Sequence, residues 1–248
     1  MNDGWLEHLI IPDWPASMRV RAVSTTRQGG ISPPPYDSFN LAGHVGDNPA
    51  CVAANRRQLA ITAGFSVKPA WLQQVHGHEV VAAETVCTPV AADAAWTRTP
   101  GRPCVVMTAD CLPVLLCDRA GTVVAAAHAG WRGLASGVIA ATVTRLNTPA
   151  VELLAWLGPA IGPNVFEVGG EVRAAFLALD AHAAACFRPS PAGRWLADIY
   201  ELARRQLRRL GVEAIYGGDC CTFSEPERFF SYRRENRTGR MATLIWLE

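Results

Sequence analysis

Three side chains have types and settings that point to shared chemistry. They are His76 in Gln74-Val75-His76-Gly77, Cys111 in Ala109-Asp110-Cys111, and His128 in Ala127-His128-Ala129-Gly130-Trp131-Arg132-Gly133. Two imidazoles and one thiolate are donors for a tetrahedral zinc. With only three of them, a fourth position stays open to water or substrate, as in catalytic rather than structural sites. Taken singly, the same residues have plainer roles, because a lone buried cysteine usually packs as a small hydrophobe and a lone histidine is usually a satisfied core residue. Two other schemes use the same atoms. Cys111 is a nucleophile if His128 or His76 is its base and Asp110 orients that base. A blue-copper centre also takes two histidines and a cysteine, with a weak axial ligand for which Met107 is the nearest methionine in sequence. The zinc-deaminase signature is absent, since Pro103-Cys104 runs on into Val105-Val106-Met107. No Walker A or G-x-G-x-x-G phosphate loop occurs either.

The segments that must position these residues are short and apolar. Residues 105–108 and 114–117 read as buried strands, and residues 122–127 as a third after the turn Asp118-Arg119-Ala120-Gly121. Cys111 follows the first of these strands and His128 closes the third. Glycine-rich turns at strand ends let a backbone come close to a ligand. Residues 71–77 read as another strand ending at His76, residues 79–83 as extended chain, and residues 86–103 as connecting structure that contains Asp93.

Towards the N-terminus, residues 19–24 alternate as a strand and lead into a long loop rich in glycine and proline. Asn48-Pro49 is a helix start, and the helix after it places Val52, Leu59 and Ala63 on one stripe. Arg56 shares that stripe. A guanidinium there is either paired in a salt bridge or lines a polar pocket. Further on, helices are expected at 134–146, 170–179 and 196–210, the last carrying Arg204, Arg205, Arg208 and Arg209 near its end, where cations suit the helix dipole. Strands are expected at 152–157, 214–216 and 242–246, with 229–234 as a loop. Without an internal repeat or linker, residues 1–248 read as one mixed α/β domain.

Composition narrows the function classes. A chain of 248 residues that is 50% hydrophobic can bury a full core. A formal charge of +1 argues against a protein built to cover nucleic-acid phosphates. No apolar run approaches the roughly 18 residues of a membrane span. Met1-Asn2-Asp3-Gly4-Trp5 lacks the basic start of a secretory signal. Eight cysteines without regular spacing fit reduced thiols in the cytoplasm. Cys51, Cys87, Cys104, Cys117 and Cys186 read as packing, and the neighbours Cys220 and Cys221 would pair only under strain.

Beyond these separate signals, several motifs together resemble the laccase-domain family of the YfiH type. They are Thr26-Arg27-Gln28-Gly29-Gly30, Tyr36-Asp37-Ser38-Phe39-Asn40-Leu41, Gly46-Asp47-Asn48-Pro49, Gln74-Val75-His76-Gly77, Thr108-Ala109-Asp110-Cys111-Leu112-Pro113-Val114-Leu115, Ala127-His128-Ala129-Gly130-Trp131-Arg132-Gly133, Leu157-Gly158-Pro159-Ala160-Ile161 and Phe230-Ser231-Tyr232-Arg233-Arg234. They cover nearly the whole chain in order. The resemblance implies a single-domain, four-layer α/β/β/α sandwich with mixed sheets. It also implies a metal, zinc or alternatively copper, bound by the catalytic trio His76, Cys111 and His128.

The activity implied is that of a zinc-dependent purine nucleoside phosphorylase that also deaminates adenosine and cleaves methylthioadenosine. Similar proteins have been called copper polyphenol oxidases, or laccases. Others are linked to peptidoglycan editing, as amidases that remove misincorporated L-serine from UDP-MurNAc-L-Ser. The six histidines of this chain are too few for the full copper complement of a laccase. Zinc acidifies water enough to attack C6 of adenine, which accounts for deamination, and the same chemistry would hydrolyse an amide. Phosphorolysis asks instead for a cationic cradle, for which Arg56 is the candidate. Asn40 either hydrogen-bonds ribose or phosphate or stabilises its own turn. Arg132 is expected to pair with Asp110 or an anion, and Arg233 and Arg234 are expected to be solvated. The expected partners are small molecules, purine nucleoside and phosphate or a muropeptide precursor, with the protein a monomer or weak oligomer. A non-catalytic, metal-stabilised binding protein is the remaining alternative, and the open ligand position and Arg56 count against it.

Overall fold

Strands β6 and β7 explain why the central stretch of sequence is almost wholly apolar. In the computed structural model, which describes residues 7–248, β6 (Leu112–Asp118) and β7 (Val124–Ala129) are buried along their entire lengths. Successive side chains of a strand point to opposite faces. Here Leu115, Cys117, Val124 and Ala126 enter one core cluster, and Val114, Leu116, Ala125 and Ala127 enter another. A strand covered on both faces loses its polar alternation, so continuous apolar runs are the expected signature. The start Met1-Asn2-Asp3-Gly4-Trp5 lies outside the described residues.

Around that pair, the first half of the chain adds β1 (Leu9–Ile10), β2 (Val20–Thr25), α1 (Pro49–Ala63), β3 (Val80–Ala82), β4 (Ala94–Thr97) and β5 (Cys104–Thr108). After β7 come α2 (Trp131–Ser136), α3 (Val138–Leu146), β8 (Leu153–Leu157), β9 (Glu167–Val168), α4 (Gly170–Leu179), β10 (Phe187–Ser190) and β11 (Arg194–Ala197). The chain then runs through α5 (Ile199–Arg209), β12 (Ala214–Gly217), α6 (Tyr232–Glu235) and β13 (Met241–Leu247). One sheet has the order β1-β2-β13-β5, a second β12-β8-β6-β7-β4-β3, and a small third β10-β11-β9. The second sheet is mixed, because β12 joins β8 and β3 joins β4 in parallel while the other pairs are antiparallel.

The layers follow from the cores. Val106 and Ile245 of the first sheet meet Leu115, Ala126 and Leu154 of the second in one shared cluster. Leu59 of α1 packs with Val23, Val105 and Leu244 on the outer face of the first sheet. Leu134, Ile139, Phe176 and Leu207 from α2, α3, α4 and α5 cover the outer face of the second. The result is the expected α/β/β/α order.

Several elements differ from the sequence expectation. Residues 71–77 form no strand beyond single bridges at Ala70–Cys104 and Gln73–Ala91, because the N–H groups of Val75, His76 and Gly77 turn to the Asp93 carboxylate instead of a ladder. The segment taken as connecting structure contains β4, whose alanines carry weak strand propensity and are held by pairing with β7 and β3. The third central strand starts at Val124 rather than at residue 122, since Asp118 captures both the N–H and the hydroxyl of Thr122. It also runs on to Ala129, so His128 lies inside β7. The helix expected at 134–146 is two helices, broken where Gly137 takes φ 93°. The helix expected from residue 196 begins at Ile199 behind its Asp198 cap, and the preceding residues pair as β11. Part of the loop at 229–234 is the short helix α6, capped by Ser231.

Candidate metal centre

Each of the three chemical side chains comes from a different local structure at one end of the second sheet. His128 is the penultimate residue of β7, Cys111 stands immediately before β6, and His76 sits on the turn that wraps Asp93. Their donor atoms all lie within 4.8 Å of one another, and Cys111 Sγ is 3.9 Å from His76 Nε2. Ligand atoms around a tetrahedral zinc are separated by roughly 3.5 Å, so the trio needs little movement to share one ion. The imidazole rings of His76 and His128 meet edge to face with centroids 4.8 Å apart. His128 is buried, Cys111 half-buried and His76 exposed, which leaves the cluster open on the His76 side.

Asp93 is the organiser that sequence reasoning missed. Fully buried, it accepts hydrogen bonds from the backbone N–H groups of Val75, His76 and Gly77 at 3.2, 2.9 and 2.7 Å. One of its oxygens also lies 2.8 Å from His128 Nδ1. A carboxylate at Nδ1 holds the proton there and leaves Nε2 as the donor to a metal. One side chain thus sets both the turn under His76 and the tautomer of His128. An aspartate beside alanines had no periodic signal to mark it. Asp110, expected to orient a base, instead accepts from Thr222 Oγ1 and the Arg233 N–H, each at 2.7 Å.

Backbone strain marks the same place. His76 and Asp110 have φ of 61° and 94°, a region that side chains rarely occupy without compensating contacts. Gly130 makes the close approach possible. A Cβ there would lie 2.8 Å from Cys111 Sγ and 3.3 Å from the His76 ring.

The electrostatics suit a thiolate. Burial alone would push the Cys111 thiol up, but the His128 imidazolium, followed by His76, brings it down to about 6. Burial would lower His128, yet the Cys111 thiolate and the Asp93 carboxylate raise it to about 9. Burial likewise opposes ionisation of Asp93, and the His128 ring and the Gly77 and Val75 N–H groups overcome it to hold the carboxyl below its usual range. Without metal, the pair rests as thiolate and imidazolium. A metal held by this trio at neutral pH would displace the His128 proton.

A cavity of about 510 Å³ opens beside the trio. Trp131, Phe166 and Tyr232 give it aromatic walls, Arg132, Arg233 and Arg240 give it a positive rim, and His44 also lines it.

Residues 21–248 match the family model described as multi-copper polyphenol oxidoreductase laccase. The chain belongs to this laccase-domain family. It is 58% identical over 240 residues to a purine nucleoside phosphorylase of Pseudomonas aeruginosa, covering 96% of this chain and 98% of the relative. It is 56% identical over 245 residues to the purine nucleoside phosphorylase YfiH of Escherichia coli, covering 98% of this chain and all (100%) of the relative. The crystal structure of a Neisseria meningitidis protein, 50% identical, superposes with a TM-score of 0.95 over 97% of this chain and 99% of that one. YlmD from Geobacillus stearothermophilus, 30% identical, superposes at 0.88 over 93% of each chain.

Two residues expected to contact substrate, Arg56 from its place on a helical stripe and Asn40 from its polar loop, stand behind the cavity rather than on its wall. Asn40 is fully buried, donates to the Ala42 carbonyl and the Asp47 carboxylate, and accepts from the N–H groups of Ala42 and Arg240. Its hydrogen-bonding capacity is thereby filled. Among the described residues, Arg56 is neither in a salt bridge nor part of the cavity lining. Its Nε donates to the Leu41 carbonyl at 2.9 Å, and the guanidinium stacks 3.8 Å from the centre of the Trp71 ring. Burial lowers its pKa to about 10, so it remains a cation. Arg132 stacks on Trp131, and Arg233 spans from the Glu167 carbonyl to the Phe166 ring. Arg234 is not solvated but bonds the carbonyls of Thr222, Phe223 and Phe229.

Proposed function

We propose that this protein is a zinc-dependent purine nucleoside phosphorylase whose single site also deaminates adenosine and cleaves methylthioadenosine. The observation that carries this reading is the pairing, in one cavity, of the His76, Cys111 and His128 donors with aromatic walls and a cationic rim. Relatives more than half identical over almost the full chain bear the phosphorylase name. Two imidazoles and a thiolate favour zinc over hard cations, and the missing fourth ligand favours a catalytic role over a structural one. Zinc bound by this trio supplies Lewis acidity and acidified water.

The chain's own residues supply the rest. Trp131, Phe166 and Tyr232 present flat surfaces on which a purine stacks, and the neighbouring arginines add positive charge beside them. In phosphorolysis, a phosphate oxygen bonds to the ribose anomeric carbon as the bond to the purine nitrogen breaks, and the base leaves with the electron pair. The positive rim attracts the anionic co-substrate and holds it for attack. Asp93 contributes by positioning, keeping His128 in one tautomer and His76 in place.

The test is to incubate metal-analysed protein with adenosine and phosphate and identify the products by mass. Adenine with ribose 1-phosphate reports phosphorolysis, and inosine reports deamination. Alanine at His76, Cys111 or His128 is expected to remove both zinc and turnover. Full activity in a zinc-free variant, or release of serine from UDP-MurNAc-L-Ser with no action on adenosine, would replace this reading.

A further inference from the structure

We propose that Arg240 is the phosphate-binding residue of the site, holding inorganic phosphate side-on through the free Nε and Nη2 edge of its guanidinium. This rests on the phosphorylase reading and names the residue that receives the co-substrate.

The side chain is anchored at one end and unengaged at the other. Nη1 donates to the carbonyls of Thr238 and Gly239, both at 2.9 Å, and the Arg240 backbone N–H is fixed 3.0 Å from Asn40 Oδ1. Tyr232 lies under the guanidinium, 5.6 Å from ring centre to Cζ. Among the described residues, Nε and Nη2 bond no protein atom, and Arg240 lines the cavity. That edge is the one whose two parallel N–H groups match two oxygens of a phosphate or carboxylate.

Among the described residues the charge is in no direct ion pair: burial lowers the Arg240 pKa, and the Cys111 thiolate and the Asp110 carboxylate oppose that shift only through space. Arg240 is half-buried and, among the described residues, pairs with no carboxylate, whereas Arg27 and Arg205 each meet an acid at 3.3 Å or less. A desolvated cation without a partner costs free energy that an anionic ligand recovers. Asp110 lines the same cavity, but its two oxygens are occupied by Thr222 and the Arg233 N–H. His44, also on the lining, is held below its usual pKa by burial and then by the charges of Arg240 and Arg56. It is therefore a neutral imidazole at pH 7, able to donate to an oxyanion without adding charge. Arg56 likewise has no acidic partner among the described residues, but its Nε is committed to Leu41 and its face to Trp71. Helical spacing drew attention to Arg56, whereas Arg240 lies between loop and strand, where no periodic pattern marks it.

The experiment titrates inorganic phosphate into metal-loaded wild-type, Arg240→Gln and Arg240→Lys proteins, followed by calorimetry or 31P NMR. Phosphate affinity is expected to fall by roughly 10- to 100-fold in R240Q. R240K is expected to fall between it and wild type, because it keeps the charge and loses the two-pronged edge. Circular dichroism of both variants establishes that the fold is kept. Steady-state kinetics should place the change in the KM for phosphate, with the KM for nucleoside within about 3-fold of wild type. Unchanged phosphate affinity in both folded variants overturns the proposal, as does loss in R240Q fully restored by any cation at a different position. The binding measurement requires no turnover. Wild-type protein that binds phosphate through Arg240 yet leaves adenosine intact refutes the phosphorylase reading alone.

Discussion

Strand β6 has a cysteine at either end, and the two could hardly differ more in their surroundings. Cys111, just ahead of the strand, is half-buried between two imidazoles that bring its thiol down to about 6. Cys117, near the other end, is fully buried between the two sheets, where burial and then the Asp118 carboxylate push its thiol up to about 12. The residue type is the same and the strand is shared. Reactivity is therefore a property of the pocket at the sheet's edge, made by His76 and His128, and not of cysteine as such.

The largest effect expected from this contrast is in metal retention and labelling. Cys111→Ser should take bound metal from about one equivalent per chain to none, whereas Cys117→Ala should retain it. In metal-free protein, iodoacetamide should modify Cys111 at neutral pH while Cys117 stays unlabelled. The Cys111 rate should fall as the solution is acidified through about pH 6, because the thiolate becomes protonated. Mass spectrometry of the peptides distinguishes the two sites, and equal labelling would abolish the contrast.

A smaller effect is expected one step behind the proposed metal ligands. Asp93→Asn should weaken metal binding by roughly 10- to 100-fold, measured by competition with a chelator, since an amide no longer enforces the His128 tautomer. Loss of folding without a change in affinity would make Asp93 merely structural.

At the far end of the strand, the expected effect is on stability alone. Asp118 accepts from the N–H and hydroxyl of Thr122 and the N–H of Val123. Although burial opposes its ionisation, those bonds hold its carboxyl below the usual carboxylate range. A depressed native pKa contributes stability above the unfolded-state value, and that contribution is lost as pH falls through the native one. Asp118→Asn should thus cost roughly 1–3 kcal/mol at pH 7, with the difference narrowing below about pH 4. Denaturant melts across pH measure it, and metal content should not change.

The sequence already showed much of this arrangement. Apolar runs revealed β5, β6 and β8, and Asn48-Pro49 located the start of α1. His76, Cys111 and His128 stood out because each borders a glycine or a tight turn. Asp93 did not, because a carboxylate that works by accepting backbone N–H groups from a distant turn leaves no periodic trace. Strand β4 was hidden for a related reason: its alanines are specified by the strands on either side rather than by their own preference.

Donor types, their order along the chain and the alternation of buried strands are local properties, and residue identity alone determined them. Which arginine faces the cavity, which aspartate orients which histidine and which cysteine becomes a thiolate depend on atoms brought together from distant parts of the chain. Those choices are electrostatic and steric, and both act over a few ångströms of space rather than over sequence separation.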